Sequence, residues 1–273
     1  MAPSINKDTR LCISLSGRPG NFGTRFHNFL YRELGLNFIY KAFSTSDLRG
    51  AITGVRALGI RGCAVSMPFK EACMEYLDEL DPSANGIMSV NTIVNSDGFL
   101  KGYNTDYIAI ASLLRSHRIS TALRFALLGS GGMAKAVACA LRDAGFTNGT
   151  VLARNKAAGA ALAAQYQFKT EPEEDEPPGL LINVTPIGMA GAPEADQLSF
   201  PEATIRAAQV IFDVVALPAQ TPLITMAAAL GKQTISGAEV IVLQAVEQFV
   251  LYTGQRPDDE LIEKAAAFAR QPA

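Results

Sequence analysis

The chain has 273 residues, 48% of them hydrophobic and 18% charged, with a formal net charge of -2. That length calls for one large domain or two ordinary ones, and the near-neutral balance argues against a nucleic-acid or membrane-surface partner. Four scattered cysteines (Cys12, Cys63, Cys73, Cys139) without a C-x-x-C pair, and only two histidines (His27, His117), argue against a metal centre or a disulfide framework. With no basic-then-apolar leader and no apolar run of about 18 residues, the expectation is a reduced, cytoplasmic protein.

In chain order, short apolar runs alternate with helix-period segments. Leu11 to Leu15 reads as a strand, GRPGNFG as a loop, and Arg25 to Leu34 as a helix stopped by Gly35. Phe38 to Phe43 is the next strand, followed by Ser46 as N-cap of a helix running through Leu58. Cys63 to Met67 is a third strand, and Pro68 opens a helix. Ser89 to Val94 and Phe99 to Tyr103 pair around Ser96-Asp97-Gly98. A helix over Ile108 to Leu114 leads to a strand at Phe125 to Leu128, a glycine cluster, and an Ala-rich helix from Met133 to Ala144. Further strands fall at Thr150 to Ala153, Leu180 to Val184 and Val210 to Val215, and helices over Ala238 to Tyr252 and Pro257 to Arg270 close the chain. The acidic, proline-rich stretch Glu171 to Pro178 reads as a solvated connection. Strands alternating with helices imply an α/β fold of parallel βαβ units, with sheets covered on both faces.

The unit at Arg124 to Ala138 carries the clearest chemistry. Gly129, Gly131 and Ala134 fit G-x-G-x-x-(G/A) between a strand and a helix: a tight turn, a close backbone approach to a diphosphate, and a small residue for helix–strand packing. The helix that follows would hold the diphosphate on its free N–H groups. About twenty residues further on, where an NAD protein places a carboxylate for the ribose 2′-hydroxyl, the chain has Ala153, Arg154, Asn155 and Lys156. Two cations and no acid there favour NADP, with NAD still possible; the alternative is that Arg154 and Lys156 merely solvate a helix start. Lys70, near the start of its expected helix, opposes the macrodipole, which suggests another reason for its presence. Asp106 closes three successive cap-type residues, Asn104, Thr105 and Asp106, where one suffices. Taken alone, Lys70 is more often a surface lysine and Asp106 more often an N-cap than a catalyst. Gln244 stands in the apolar run VIVLQAV and needs a partner if buried.

The ordered set MPFK, SVNT, GYNTD, GSGGMA, INVTPIGM and SGAEVIVLQAVEQF, spanning nearly the whole chain, resembles the shikimate dehydrogenase family, and within it the shikimate dehydrogenase-like branch. The resemblance implies an N-terminal α/β substrate domain over residues 1–105 and 237–273, with C-terminal helices returning to it, and a Rossmann NAD(P)-binding domain over 106–236. It implies Lys70 and Asp106 as the catalytic pair, and Ser66, Asn91 and Gln244 as hydrogen-bond partners of substrate hydroxyls. It further implies Gly129, Ser130, Gly131, Gly132, Met133 and Ala134 at the diphosphate, and Arg154, Asn155 and Lys156 near the 2′-phosphate. Asn183 and Thr185 match the strand end by the nicotinamide ribose, and Met189 and Gly237 positions lining the nicotinamide face. The implied partners are a small-molecule substrate and a nicotinamide dinucleotide, neither nucleic acid nor membrane, with the oligomeric state open.

Two departures bear on the substrate. The family loop G-x-P-x-x-x-S-x-S-P stands here as Gly17 to Arg25, shortened and without the serine pair that receives the substrate carboxylate; Asn21 and Thr24 are substitute donors, and Arg18 or Arg25 substitute cations. Ala216 stands where D-x-V-Y-x-P has tyrosine. The function expected is therefore hydride transfer between nicotinamide and a ring hydroxyl of a hydroxylated cyclohexene or cyclohexane carboxylate, with shikimate itself turned over weakly. The alternatives are a non-catalytic dinucleotide or metabolite sensor and a folate-type lysine-dependent Rossmann dehydrogenase.

Overall fold

The computed structural model describes residues 5–171 and 177–271, so the middle of the acidic connection lies outside the described residues. The chain divides into two compact units, Met1–Thr105 with Val242–Ala273, and Asp106–Ile241.

The first unit contains β1 (Arg10–Leu15), α1 (Phe22–Glu33), β2 (Phe38–Phe43), α2 (Leu48–Ala57), β3 (Gly62–Val65), a 3-10 turn over Ala72–Tyr76, β4 (Glu79–Leu80), α3 (Pro82–Asn85), β5 (Thr92–Ser96) and β6 (Phe99–Tyr103). Its six strands lie in the order β2-β1-β3-β5-β6-β4. The first three pair in parallel, as βαβ crossovers require, whereas β5 runs antiparallel to both β3 and β6, so the sheet is mixed. Residues alternate along β1, Cys12 facing one cluster and Ile13 and Leu15 the other, because side chains of a strand point to opposite faces.

The second unit is built on α4 (Thr105–Ser116), which it enters at Asp106, then β7 (Phe125–Leu128), α5 (Gly132–Ala144), β8 (Gly149–Leu152), α6 (Lys156–Tyr166), β9 (Leu180–Asn183), α7 (Glu202–Ala207), β10 (Val210–Asp213), α8 (Pro222–Ala229) and β11 (Gln233–Ser236). The strands lie β11-β10-β9-β7-β8, all parallel, and the runs FALL, LLIN and VIFD are largely apolar because both faces of such a sheet are covered. Two helices follow, α9 (Gly237–Thr253) and α10 (Asp259–Arg270). Ser236 and Glu239 cap the start of α9 reciprocally: the Ser236 N–H donates to Glu239 Oε2 at 2.8 Å, and the Glu239 N–H to Ser236 Oγ at 3.4 Å. The return to the first unit falls inside this unbroken helix, at Val242, rather than at its start.

One face of the first sheet is closed by α1, α9 and α10. At its centre His27 is fully buried, stacked on Tyr40 with ring centroids 4.5 Å apart and near-parallel to Phe249 at 6.2 Å. Burial pulls its pKa down to about 3, with the nearby Gln248 carboxamide partly opposing. A charged imidazolium would be costly there.

Several local expectations are corrected. Helix α1 begins at Phe22, ahead of Arg25. Asp47, not Ser46, caps α2, its carboxylate accepting from the Gly50 N–H at 2.8 Å. Pro68 starts no helix: it sits in a turn closed by Phe69 N–H to Ser66 O at 2.9 Å, with regular coiling resuming only at Ala72. The short elements β4, β11, α7 and α8 carry too few residues for a periodic signal.

Candidate functional site

In the first unit the chain leaves β1 toward β2 on one side and comes back through α2 to β3 on the other, so the order reverses between β1 and β3. Beyond the C-terminal ends of two such strands a crevice opens. The Ser66 N–H donates to Leu15 O at 2.9 Å and the Gly17 N–H to Met67 O at 3.0 Å, tying the two strand-end loops together. Because β5 is antiparallel, its start lies at the same end: Val65 N–H bonds Asn91 O, and Val90 N–H bonds Lys70 O, each at 2.8 Å. Lys70, Ser66 and Asn91 are thereby gathered at one end of the paired strands β3 and β5. Lys70 sits in the turn after β3 rather than in a helix, so the expected conflict with a macrodipole does not arise.

Asn91 is 1% exposed and its carboxamide is used at one end only. Its Oδ1 accepts from the Thr105 N–H at 2.8 Å, from Thr105 Oγ1 at 3.1 Å and from Thr92 Oγ1 at 2.8 Å, while its Nδ2 has no partner among the described residues. A buried amide donor without a partner costs roughly 1–3 kcal/mol, so an added acceptor at Nδ2 would be favourable. Asn104, also buried, is used internally: its Nδ2 donates to Ser89 O at 2.9 Å.

Gln244 is half-buried on α9, and the buried carboxamide of that helix is Gln248, one turn further along the same face. Its Nε2 donates to Thr92 Oγ1 at 3.1 Å. Sequence reasoning missed Gln248, although its spacing from Gln244 was the available signal. Ser16 was also missed: at the end of β1 its Oγ is buried without a partner among the described residues.

The shortened loop leads into α1. Asn21 is its N-cap residue and makes no side-chain cap bond, Thr24 is half-buried in the first turn, and Arg18 is exposed. Arg25 is not a spare cation. Its Nε and Nη2 donate to Phe268 O at 3.2 and 2.9 Å, and its guanidinium stacks on the Phe268 ring at 4.3 Å.

In the second unit β7 connects to β8 on one side and β8 to β9 on the other, so the order reverses between β7 and β9, where the glycine turn lies. Gly129 has φ +129°, and a Cβ there would stand 2.6 Å from Val184 Cγ2, so only glycine fits. Gly131, the N-cap of α5, and Gly132 have nothing within 4 Å of a Cβ position. Ala134 is fully buried, Ser130 and Met133 are half-buried, and the first turn of α5 carries no acid. Unscreened N–H groups beside open space fit a diphosphate. Asn155 caps α6, its Oδ1 accepting from the Ala158 N–H at 3.1 Å, and Lys156 follows exposed. Arg154, its side chain 90% exposed, donates from Nη1 to Glu194 Oε1 at 3.4 Å.

Asn183 and Thr185 turn inward. Asn183 Nδ2 donates to Asp213 Oδ1 at 3.0 Å and to Ile187 O at 3.2 Å, and its Oδ1 accepts from the Thr185 N–H at 3.0 Å and Thr185 Oγ1 at 2.6 Å. Both side chains thus shape the loop after β9 instead of presenting free polar groups. Asp213, the hub of this network, has its pKa raised by burial against the bonds from Thr221, Val215 and Asn183. Gly237 admits no side chain, since a Cβ would meet the Val214 and Val215 backbone at 2.4 Å, and Met189 is exposed. Asp106 is buried in the first turn of α4, where a carboxylate suits the helix dipole, and belongs to the second unit while Lys70 belongs to the first.

A family model described as the shikimate dehydrogenase substrate binding domain matches residues 22–93. The chain is 61% identical over 267 residues to the shikimate dehydrogenase-like protein of Haemophilus influenzae, covering 97% of this chain and 98% of that one. The chain belongs to the shikimate dehydrogenase family. The structure of a shikimate 5-dehydrogenase-like protein superposes with a TM-score of 0.96 at 61% identity, covering 98% of this chain and all of that one. The shikimate 5-dehydrogenase of Thermus thermophilus, solved in complex with NADP(H) and shikimate, superposes with a TM-score of 0.84 at 30% identity, over 95% and 99% of the two chains. As a member of the shikimate dehydrogenase family the protein is an NAD(P)-dependent dehydrogenase, in its shikimate dehydrogenase-like branch. Among the described residues no helix is long and apolar enough to cross a membrane, and no cluster of three or more His, Cys, Asp or Glu side chains could hold a metal ion.

Proposed function

We propose that the protein transfers a hydride between NADP and a ring hydroxyl or ketone of a hydroxylated cyclohexene or cyclohexane carboxylate. The observation that carries this reading is the juxtaposition of Lys70 with Asn91, whose buried amine end has no partner among the described residues. That end donates to a substrate hydroxyl, with Ser66 and Gln244 as further contacts. Lys70 gives a proton to the ketone oxygen in reduction and takes it from the alcohol in oxidation, and Asp106 orients it. The nicotinamide, when bound, supplies or accepts the hydride.

In this reading the first unit is the substrate domain and the second holds the dinucleotide: the turn Gly129 to Ala134 cradles the diphosphate and Arg154 with Lys156 meets the 2′-phosphate. The open space at Gly131 and the acid-free start of α5 support it. Asn21 and Thr24 replace the missing serine pair at the substrate carboxylate.

The test is a panel of shikimate, quinate, aminoshikimate and related cyclic hydroxy acids, assayed with NADP and with NAD by absorbance of the reduced nicotinamide. Turnover of at least one acid, faster with NADP, is the expected result. Binding of NADP without turnover of any panel member would replace this reading with a metabolite sensor.

A further inference from the structure

The direction of the Asn91 carboxamide is not left to Asn91. The Thr105 N–H can only donate, so the atom facing it must be Oδ1, which sends Nδ2 the other way. Thr92 adds a second constraint through a single hydroxyl proton. Its Oγ1 lies 2.8 Å from Asn91 Oδ1, 3.3 Å from Thr105 Oγ1 and 3.1 Å from Gln248 Nε2. The Gln248 amine end also lies 3.5 Å from the Asn91 backbone carbonyl, an acceptor only, and this fixes which end of that carboxamide faces Thr92. Gln248 donating to one lone pair of Thr92 Oγ1 limits how that hydroxyl can rotate, and of the two oxygens in reach of its proton Asn91 Oδ1 is the nearer, at 2.8 Å against 3.3 Å. Bonds chained in this way within a buried site reinforce one another.

We infer that Gln248 is a positioning residue for Asn91: from α9 it sets the hydroxyl of Thr92, which holds the Asn91 carboxamide with its amine end toward substrate. The inference rests on the proposed role of Asn91 as a substrate contact. Every group in the chain Gln248, Thr92, Asn91 is buried. Without Gln248 that lone pair of Thr92 is unheld, the hydroxyl rotates more freely, and its bond to Asn91 Oδ1 is weakened.

The test has a ligand-free arm and a kinetic arm, both on the full chain. In Gln248→Met, amide hydrogen exchange at Thr105, whose N–H bonds Asn91 Oδ1, should quicken at least about tenfold, while exchange at Asn104, whose N–H bonds Ser83 Oγ, stays within about twofold. Gln248→Glu, which keeps the shape but accepts the Thr92 proton, should show the same pattern and serves if the Met variant does not fold. With the panel acid turned over fastest, Gln248→Met should raise KM about five- to tenfold with kcat within about twofold, and should have no further effect in an Asn91→Ala background. Unchanged Thr105 exchange, or an equal kinetic penalty with and without Asn91, overturns the inference. If wild type oxidises no panel acid, the substrate reading falls, and Thr105 exchange still decides whether Gln248 holds Asn91.

Discussion

Arg154 Nη1 donates to Glu194 Oε1 across 3.4 Å, so the guanidinium proposed to meet a 2′-phosphate already has a carboxylate beside it. The pair is exposed on the arginine side and worth little by itself, but a phosphate must displace or tolerate that carboxylate. Arg154→Ala should weaken NADP about tenfold and leave NAD nearly unchanged, whereas Glu194→Gln should tighten NADP a few-fold. Calorimetric titration of both dinucleotides checks this. Equal loss for both in Arg154→Ala would remove Arg154 from the 2′-phosphate site.

Gly129 and Gly131 lie in one turn and should fail differently. Gly129→Ala places a Cβ 2.6 Å from Val184 Cγ2 at φ +129°, so it should cost about 2 kcal/mol or more of stability and also lose dinucleotide. Gly131 has φ -82° and ψ -170°, which alanine adopts, and open space where the methyl would go. Gly131→Ala should keep the wild-type Tm within about 2 °C, yet bind NADP at least about tenfold more weakly, because the methyl occupies the approach proposed for the diphosphate. Thermal melts with and without NADP separate the two.

The shortened loop should make shikimate a poor substrate. The serine pair is absent, Ala216 brings no hydroxyl, and Arg25 is already bonded to Phe268 O. Since each charge-assisted hydrogen bond is worth roughly 1.5–3 kcal/mol, kcat/KM for shikimate should fall below about 10⁴ M⁻¹s⁻¹. Arg25→Ala should leave that value within about twofold and lower stability by about 1–2 kcal/mol, through loss of the bonds and stacking on α10. Steady-state kinetics beside a urea titration checks both halves.

The fold class and the glycine unit were legible because they rest on apolar runs and a spacing that survive without tertiary context; FALL followed by G-x-G-x-x-A needs no partner to be read. The site was legible only in part. Asn91, Lys70 and Ser66 could be named, but not the reason they meet, which is the antiparallel β5 bringing Asn91 to the end of β3. Pro68 misled because its local preference for a helix start is equally a preference for a turn. Gln248 carried a signal in its i+4 spacing from Gln244, but spacing alone does not say that Gln248 is the one of the two that is buried against Thr92.

His27 should make the protein acid-sensitive. Its pKa is about 3 in the folded chain against an ordinary 6.5, so between those values the unfolded chain holds a proton that the folded chain does not. Stability therefore falls as pH drops through that window, with a slope of up to about 1.4 kcal/mol per pH unit from this residue. His27→Phe, which keeps a ring stacked on Tyr40, should flatten the dependence between pH 6.5 and 4. Urea midpoints across that range test it. Parallel slopes in both proteins would show that His27 is not the group responsible.

Lys70 and Asp106 carry the decisive prediction, because they separate proton transfer from mere recognition. The Lys70 backbone carbonyl is bonded to Val90, next to Asn91, so Lys70→Ala leaves that backbone link in place. The substitution should lower kcat by roughly 10² to 10⁴, the range for one acid–base group, with NADP affinity within about twofold. Asp106→Ala should also lower kcat, and on the proposed reading that Asp106 acts through Lys70 the double variant should lose less than the product of the single losses. Asp106 also stands in the first turn of α4, so Asp106→Asn, which keeps the size and hydrogen-bonding oxygen, controls for helix damage. Steady-state kinetics on the best panel acid, with NADP titration as the folding control, provides the measurement. Near-full turnover in Lys70→Ala would mean that the proton leaves by another route; strict additivity of the two losses would mean that Asp106 does not act through Lys70.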